Sequence, residues 1–521
     1  MVNISKSQSS KSQTATKASG ILILSFVFNS TLNYLFNLIL GWLLTPETYG
    51  IWGVSVSFIN LLIPFTIMTF PWIVSKLIAE SSNKNDTTIL GQTTTALIIN
   101  TLLSGIIAIA FLLASFVFRE SINLGNSFTT IILLIIAIIF TVGIRGIFNG
   151  IMMGLLKFTQ LAITQITENF SKLLIAILLI TLGHSVLGSL YAYFIGVFIA
   201  LILAILFTKN FRFWKHLQKP SKYLLGNSWN IFWGMFLITG MTNIDILFLK
   251  FITPDNVSNI QAGYYQAALV ISRIPFFLAG TTIQALFPYI TQSKNTTKIN
   301  YSNKTLKYSL IFLIPIAILV STKASMLIST IFPNNYSVGG ESMKFLGIAM
   351  GAMALNMVFT RIFHGWNRPF IPLIVLLCGI LVQIPLLLLL IPTSELKGAA
   401  FATLIGCSTS FILFLLCYIK IIIKNQNYKS FIYIGILLFI FFGVNFLTTT
   451  NILVLQIIFT ILYCFIYIFL LFLIKILQAS DIESVVQLIN QMPIPTSLKK
   501  KIEYINNKII RLINTVNNLL G

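Results

Sequence analysis

GILILSFVFNSTLNYLFNLILGWLLTPETYGIW, residues 20–52, decides the class of fold. From Gly20 to Leu44 there is no charged side chain. About 20 apolar residues are what an α-helix needs to cross a bilayer. The run is too long for the core of a signal peptide and carries no cleavage site, so it is expected to stay as a first span. Outward from it the same texture repeats, with apolar runs broken by short clusters of charge, proline, glycine or asparagine. Fourteen spans are expected: 20–44, 51–75, 92–118, 127–148, 159–182, 187–208, 224–251, 262–290, 306–332, 343–364, 369–392, 398–423, 430–448 and 452–476.

Composition agrees with an all-α integral membrane protein. Of 521 residues 57% are hydrophobic and 9% charged, against roughly 25% charged in soluble domains. So few charges could not cover a soluble fold. The net charge of +22 sits in clusters between apolar runs. That is how cytoplasmic loops are held against anionic lipid, and no Lys/Arg/aromatic face offers itself to nucleic acid. With both termini cytoplasmic, the outer loops hold only Arg119, Lys250, Lys323, Lys344 and Lys397. Lys172 and Arg273 fall inside spans, and 27 of the 34 Lys and Arg lie on the cytoplasmic side. This asymmetry supports the count and the orientation in a plasma membrane. Cys378, Cys407, Cys417 and Cys464 lie within apolar runs without a CxxC or a histidine at metal spacing. They read as small buried hydrophobes, and neither metal nor cofactor is expected.

Three pairs of segments recur in order. Thr45–Trp52 (TPETYGIW) answers to Thr253-Pro254-Asp255 with Gly263-Tyr264-Tyr265. Arg145–Gly150 (RGIFNG) answers to Arg361–Gly365 (RIFHG). Gly188–Gly196 (GSLYAYFIG) answers to Gly398–Gly406 (GAAFATLIG). The offsets are 213, 215 and 210. Two six-helix halves follow. Because six is even, they are parallel repeats about a pseudo-twofold along the membrane normal, an arrangement that rocks around a central cavity. The expected organisation is a polar tail (1–19), an N-lobe (20–208), a basic linker (209–223), a C-lobe (224–424), two further spans (430–476) and a tail (480–521). In the last, Ile502, Ile505, Ile509, Leu512, Ile513 and Val516 stand at helical spacing, as for an amphipathic surface helix. A partly ordered tail is the other reading.

These residues resemble the polysaccharide flippases of the Wzx type. The resemblance runs over about residues 15–475. Leu44–Trp52 is similar to their L-x-P-E-x-Y-G-x-Y/W segment, and Lys76–Glu80 to the end of their second helix. Ile244-Asp245, Gly263–Ala268, Arg368–Pro372 and Lys397–Thr403 are also similar. The resemblance implies a V-shaped, two-lobed fold of the multidrug/oligosaccharidyl-lipid/polysaccharide exporter kind. It implies a lipid-linked oligosaccharide as substrate, turned from the cytoplasmic to the outer leaflet. Where the family commonly has paired asparagines in span eleven, this chain offers Gln383, and the tail beyond 480 lies outside the pattern.

An ionisable group at membrane depth is a functional candidate by default. Glu168 and Lys172 are four apart, on one helical face. They form either a self-neutralising pair or part of a cavity wall. Asp245, beside Asn243, is a candidate for ion or proton coupling, or for pairing with a cation, as Glu168 is. An arginine in span eight faces the central cavity in the resembled family. Arg273 is therefore the preferred substrate residue, since guanidinium matches phosphate oxygens bidentately. Its rival role is an ion pair with Asp245. Arg145 and Arg361, at equivalent cytoplasmic ends, are snorkelling anchors or a phosphate-collecting vestibule. Together with Lys172 they complete the candidate substrate-binding set.

There is no P-loop, no HExxH and no Ser/His/Asp arrangement, and the loops are too short for a soluble catalytic domain. The chain is not expected to be an enzyme. Two other activities use the same fold, namely cation-coupled multidrug export and lipid II flipping. A two-lobed repeat contains its own pathway, so a monomer is expected to function, with glycan-assembly enzymes as neighbours.

Overall fold

The computed structural model describes residues 24–25, 27–67, 70–80, 87–122, 124–211, 229–280, 295–423, 435, 441 and 453–473. Every regular element among them is helical. The chain divides into two units, Phe28–Lys424 and Met1–Val27 with Asn425–Gly521. In the second unit α15 (Leu453–Leu473) is described, with Tyr467 packed on Phe441 at 5.1 Å between ring centroids. The tails 1–19 and 480–521, most of the linker 209–223 and the expected span 430–448 lie outside the described residues.

Within Phe28–Lys424 the N-terminal half comprises α1 (28–43), α2 (Pro46–Ile67), α3 (Phe70–Glu80), α4 (Thr87–Val117), α5 (Phe128–Gly154), α6 (Phe158–Leu179) and α7 (Ser185–Thr208). The C-terminal half comprises α8 (Trp229–Met241), α9 (Ile244–Ile252), α10 (Asp255–Ser272), α11 (Asn295–Thr322), α12 (Ala324–Ile331), α13 (Gly340–Gly365) and α14 (Phe370–Tyr418). Among the described residues seven helices are long and apolar enough to cross a membrane, or eight if α8 and α9, bent by 48°, form one span. Two of the seven, Phe158–Thr208 and Phe370–Ile422, are 51 and 53 residues long and each contains two expected spans. The first folds back at Gly183, whose φ of 93° suits a residue without Cβ, and the second at Glu395 with φ 45°.

The glycines of the repeated GSLYAYFIG and GAAFATLIG segments explain these hairpins. A Cβ on Gly196 would stand 2.9 Å from the Glu168 carbonyl and 3.1 Å from Lys172 Cβ. A Cβ on Gly406 would stand 2.7 Å from Gln383 Cβ. In each half the returning helix rests its glycine edge on its partner, the small-residue packing that membrane helices use. Without a solvent-driven hydrophobic effect, close backbone approach supplies the attraction.

Two expected boundaries move. Residues 45–50 and 253–261 read as loops by polarity, yet α2 starts at Pro46 and α10 at Asp255. Thr-Pro followed by an acid is a helix start. In α2 the proline presets φ in the first turn, where its missing N–H is not needed; in α10 it stands at the cap, and in both the acid meets the helix dipole. The Thr45 hydroxyl accepts the Thr48 backbone N–H at 3.4 Å. Tyr49, Gly50 and Trp52 are thus buried helical residues.

Candidate functional site

Between the halves lies a cavity of about 270 Å³. Its polar lining comes from carboxamides, Asn33 and Asn37 of α1, Asn60 of α2, Asn243 at the α8–α9 break and Gln266 of α10. Its rings include Tyr34, Trp52, Tyr193 and Phe276. Among the described residues its charged side chains are Lys172 and Arg273, with no carboxylate.

Lys172 is 4% exposed. α7 approaches α6 closely at Gly196, and Tyr193, one turn earlier, comes over the amine. Lys172 Nζ stands 4.7 Å from the Tyr193 ring centroid and 4.8 Å from that of Phe36, and donates to Asn33 Oδ1 at 3.2 Å. The rings' negative faces and one amide oxygen replace a counter-ion. The i,i+4 pairing with Glu168 is not formed. Glu168 bonds Arg145 of α5 instead. The helical spacing put the two on one face, but Arg145 brings a two-pronged donor from the neighbouring helix, a better carboxylate partner than an ammonium.

Arg273 follows the last residue of α10. Its Nη2 donates to the Thr242 carbonyl and to Asn243 Oδ1, at 3.3 Å in the second case. The break between α8 and α9 frees backbone carbonyls that the span must satisfy within the protein. Arg273 takes that of Thr242, and Gln383 Nε2 takes that of Met241 at 3.2 Å. Asn60 donates to the same Asn243 oxygen at 3.1 Å, so both halves meet on one side chain. Arg273 Nε is buried without a partner.

Asp245 does not pair with Arg273 and does not line the cavity. It is fully buried in the first turn of α9. It accepts the Tyr265 hydroxyl at 2.7 Å, the Thr403 hydroxyl at 3.1 Å and the Ile246 N–H at 2.9 Å. Three donors and a helix N-terminus hold the carboxylate, so no cation is drawn in. Arg361 stands near the end of α13, away from the cavity, and His364 Nε2 beside it is buried and unpartnered.

Sequence reasoning missed Tyr265, Thr403, Tyr193 and every cavity carboxamide but Asn243. Asn29, Asn33 and Asn37 recur every four residues in span one, a polar face that was there to be read. Nothing local marks Tyr265 or Thr403 as partners of Asp245.

Residues 15–294 match the family described as polysaccharide biosynthesis protein. The chain belongs to that family. This polysaccharide biosynthesis family chain is also similar to other membrane proteins, in sequence or in fold. The uncharacterized membrane protein MJ1068 of Methanocaldococcus jannaschii is 22% identical over 493 residues, 89% of this chain and 96% of its own. The lipid II flippase MurJ in an inward closed conformation superposes with a TM-score of 0.66 at 16% identity, over 87% of this chain and 99% of that one. A multidrug resistance MATE transporter of the MOP superfamily, inward-facing, gives 0.58 at 14% identity, over 79% and 100%. The fold of this family member is therefore that of the MOP transporters, and it is a multi-pass membrane protein.

Proposed function

We propose that this protein flips a lipid-linked oligosaccharide, a polysaccharide repeat unit on polyprenyl phosphate or diphosphate, between leaflets by alternating access, from the cytoplasmic to the outer side. The observation that carries this reading is the charge of the cavity. Among the described residues Lys172 and Arg273 are its ionic groups and no carboxylate opposes them. An anionic headgroup gains from that environment and an organic cation does not, which disfavours multidrug export. The five carboxamides and the rings beside them offer donors, acceptors and apolar faces to sugars. Lipid II flipping shares this chemistry and differs in the glycan.

In this proposal Arg273 and Lys172 hold the phosphates. Asp245 is the coupling group, because it is a buried carboxylate without a cation on it, at a helix break next to Arg273. Glu168 is bound to Arg145, and its role follows from that pair. Both termini are cytoplasmic by the charge pattern, and one chain contains the whole pathway.

The test is flipping of a fluorescent polyprenyl-diphosphate oligosaccharide in proteoliposomes by the wild type and by Arg273→Ala. Sugar-dependent flipping lost in a folded mutant supports the proposal. Uptake of an organic cation with no lipid flipped under any gradient overturns it.

A further inference from the structure

Arg145 and Arg361 hold the same place in the two halves, yet their surroundings differ. The hairpin glycines fix the correspondence. Gly196 backs onto Glu168 and Lys172, and Gly406 backs onto Gly379 and Gln383. The place of Glu168 is therefore taken by Gly379 in the C-terminal half, and that of Lys172 by Gln383. Arg145 has its carboxylate. Among the described residues Arg361 has neither a hydrogen bond nor an ion pair.

Among the described residues, the surrounding helices supply no anion. α13 packs chiefly on α14 and α11. α11 contains no Asp or Glu, and the acids of α13, α14 and α10 (Glu341, Glu395 and Asp255) belong to the opposite end of the bundle. The other described charges toward this end of α13 are positive. Lys298 lies 5.3 Å from the ring of Trp366, which caps α13, and Arg368 follows two residues on. His364, three residues after Arg361 and so on the same face, keeps Nε2 buried without a partner. A half-buried guanidinium and an orphaned imidazole nitrogen are costly unless an acceptor reaches both.

We infer that Arg361 and His364 form a phosphate-binding site on the C-terminal half, separate from the central cavity, which takes the headgroup of a phosphate-bearing lipid. The guanidinium fork fits two phosphate oxygens and the imidazole N–H fits a third. Neither residue lines the cavity. The phosphate comes either from the lipid diphosphate to be transported, which rests on the proposed function, or from anionic bilayer lipid. In the first case the site loads the substrate before Arg273 receives it. Arg145 does not share the role, because Glu168 occupies it.

The test is binding of geranyl diphosphate to the purified full chain in phosphatidylcholine nanodiscs, followed by microscale thermophoresis. Arg273→Gln together with Lys172→Gln removes both cavity cations and is expected to leave one class of binding. Adding Arg361→Gln is expected to weaken that class by about tenfold or more, the worth of one charge-assisted contact. Adding Arg145→Gln leaves it unchanged. Glu168→Gln, which frees Arg145, is expected to add a second class. Arg361→Lys keeps the charge, so it reports on the fork should the glutamine variant fail to fold, and it too is expected to weaken binding. Residual binding that neither Arg361 variant weakens, or that Arg145→Gln weakens equally, overturns the site. Competition by phosphatidylglycerol in the nanodisc identifies bilayer lipid as the source, and its absence identifies the transported lipid. Flipping is not read, so a chain that binds here yet moves no lipid would refute the proposed function and leave this site standing.

Discussion

Gly50 of α2 and Gly263 of α10, paired by the duplication, pack directly against each other. A Cβ on Gly50 would stand 1.8 Å from the carbonyl oxygen of Asn259, and a Cβ on Gly263 would stand 1.8 Å from that of Pro46. Each glycine faces the carbonyl four residues before the other. A contact that is its own image under exchange of halves marks the axis relating them, as in isologous interfaces. It brings the two backbones together where side chains elsewhere hold helices apart, and the cavity lies farther along the same helices, at Val56 and Val270.

From this contact it follows that Gly50→Ala and Gly263→Ala each drive α2 and α10 apart, at a cost of about 1–3 kcal/mol. The melting temperature of each variant in detergent falls. The double variant costs less than the two singles together, because one separation relieves both clashes. Full additivity would show the two glycines to be independent and the axis misplaced.

The same end of the molecule is tied by Tyr336. Its hydroxyl donates to the Leu44 carbonyl at 2.9 Å, and its ring meets Tyr49 edge to face at 5.7 Å. Phe332 fills the space above Gly41. Tyr336→Phe removes the hydrogen bond and keeps the ring, costing this closure about 0.5–1.5 kcal/mol. A cysteine replacing buried Val54, in a background without native cysteines, is expected to label faster with a water-soluble thiol reagent in Tyr336→Phe than in the parent. An unchanged rate would mean that the bond does not hold this end shut.

Arg145 and Glu168 offer a test by pair. Both side chains are largely buried, at 14% and 12% exposure. Losing either leaves a charge without its partner, at about 3–5 kcal/mol. Arg145→Gln with Glu168→Gln removes both charges and is expected to be more stable than either single variant. Thermal unfolding of the four proteins measures the coupling. A coupling near zero would mean solvent screens the pair.

How much of this was legible depended on range along the chain. The hairpins at Gly183 and Glu395 and the two halves were written in the sequence, because a glycine edge and an apolar run are local signals that a repeat prints twice. The starts of α2 and α10 were misread because TPETYG is polar. Its polarity serves a buried helix start rather than a loop. Of the two readings of the Glu168/Lys172 spacing, the self-neutralising pair is not formed, because Arg145 reaches Glu168 from another helix and no periodicity encodes that. Asp245 stood out as a buried charge, but Tyr265 and Thr403 meet it only through the tertiary fold. The cations of the cavity were visible at once, since a charge in an apolar run has few explanations.

Lys172 and Gln383 occupy equivalent places under Gly196 and Gly406, and this yields the sharpest separation of binding from folding. A glutamine already fits beneath the glycine edge in one half, with its Nε2 on the Met241 carbonyl and the Thr403 hydroxyl. Lys172→Gln should therefore fold, its amide N–H meeting Asn33 Oδ1 as the ammonium does now. What it loses is one of the two cavity cations. Transport of a diphosphate lipid is expected to fall by about tenfold or more, the effect of a lost charge-assisted contact. The remaining transport should depend less on ionic strength, because fewer charges are left to screen. Rates of flipping in proteoliposomes at low and high salt measure both. If Lys172→Gln transports at the parental rate with the parental salt dependence, the phosphates pass by Arg273 alone, and Lys172 serves only to brace α1 against α6.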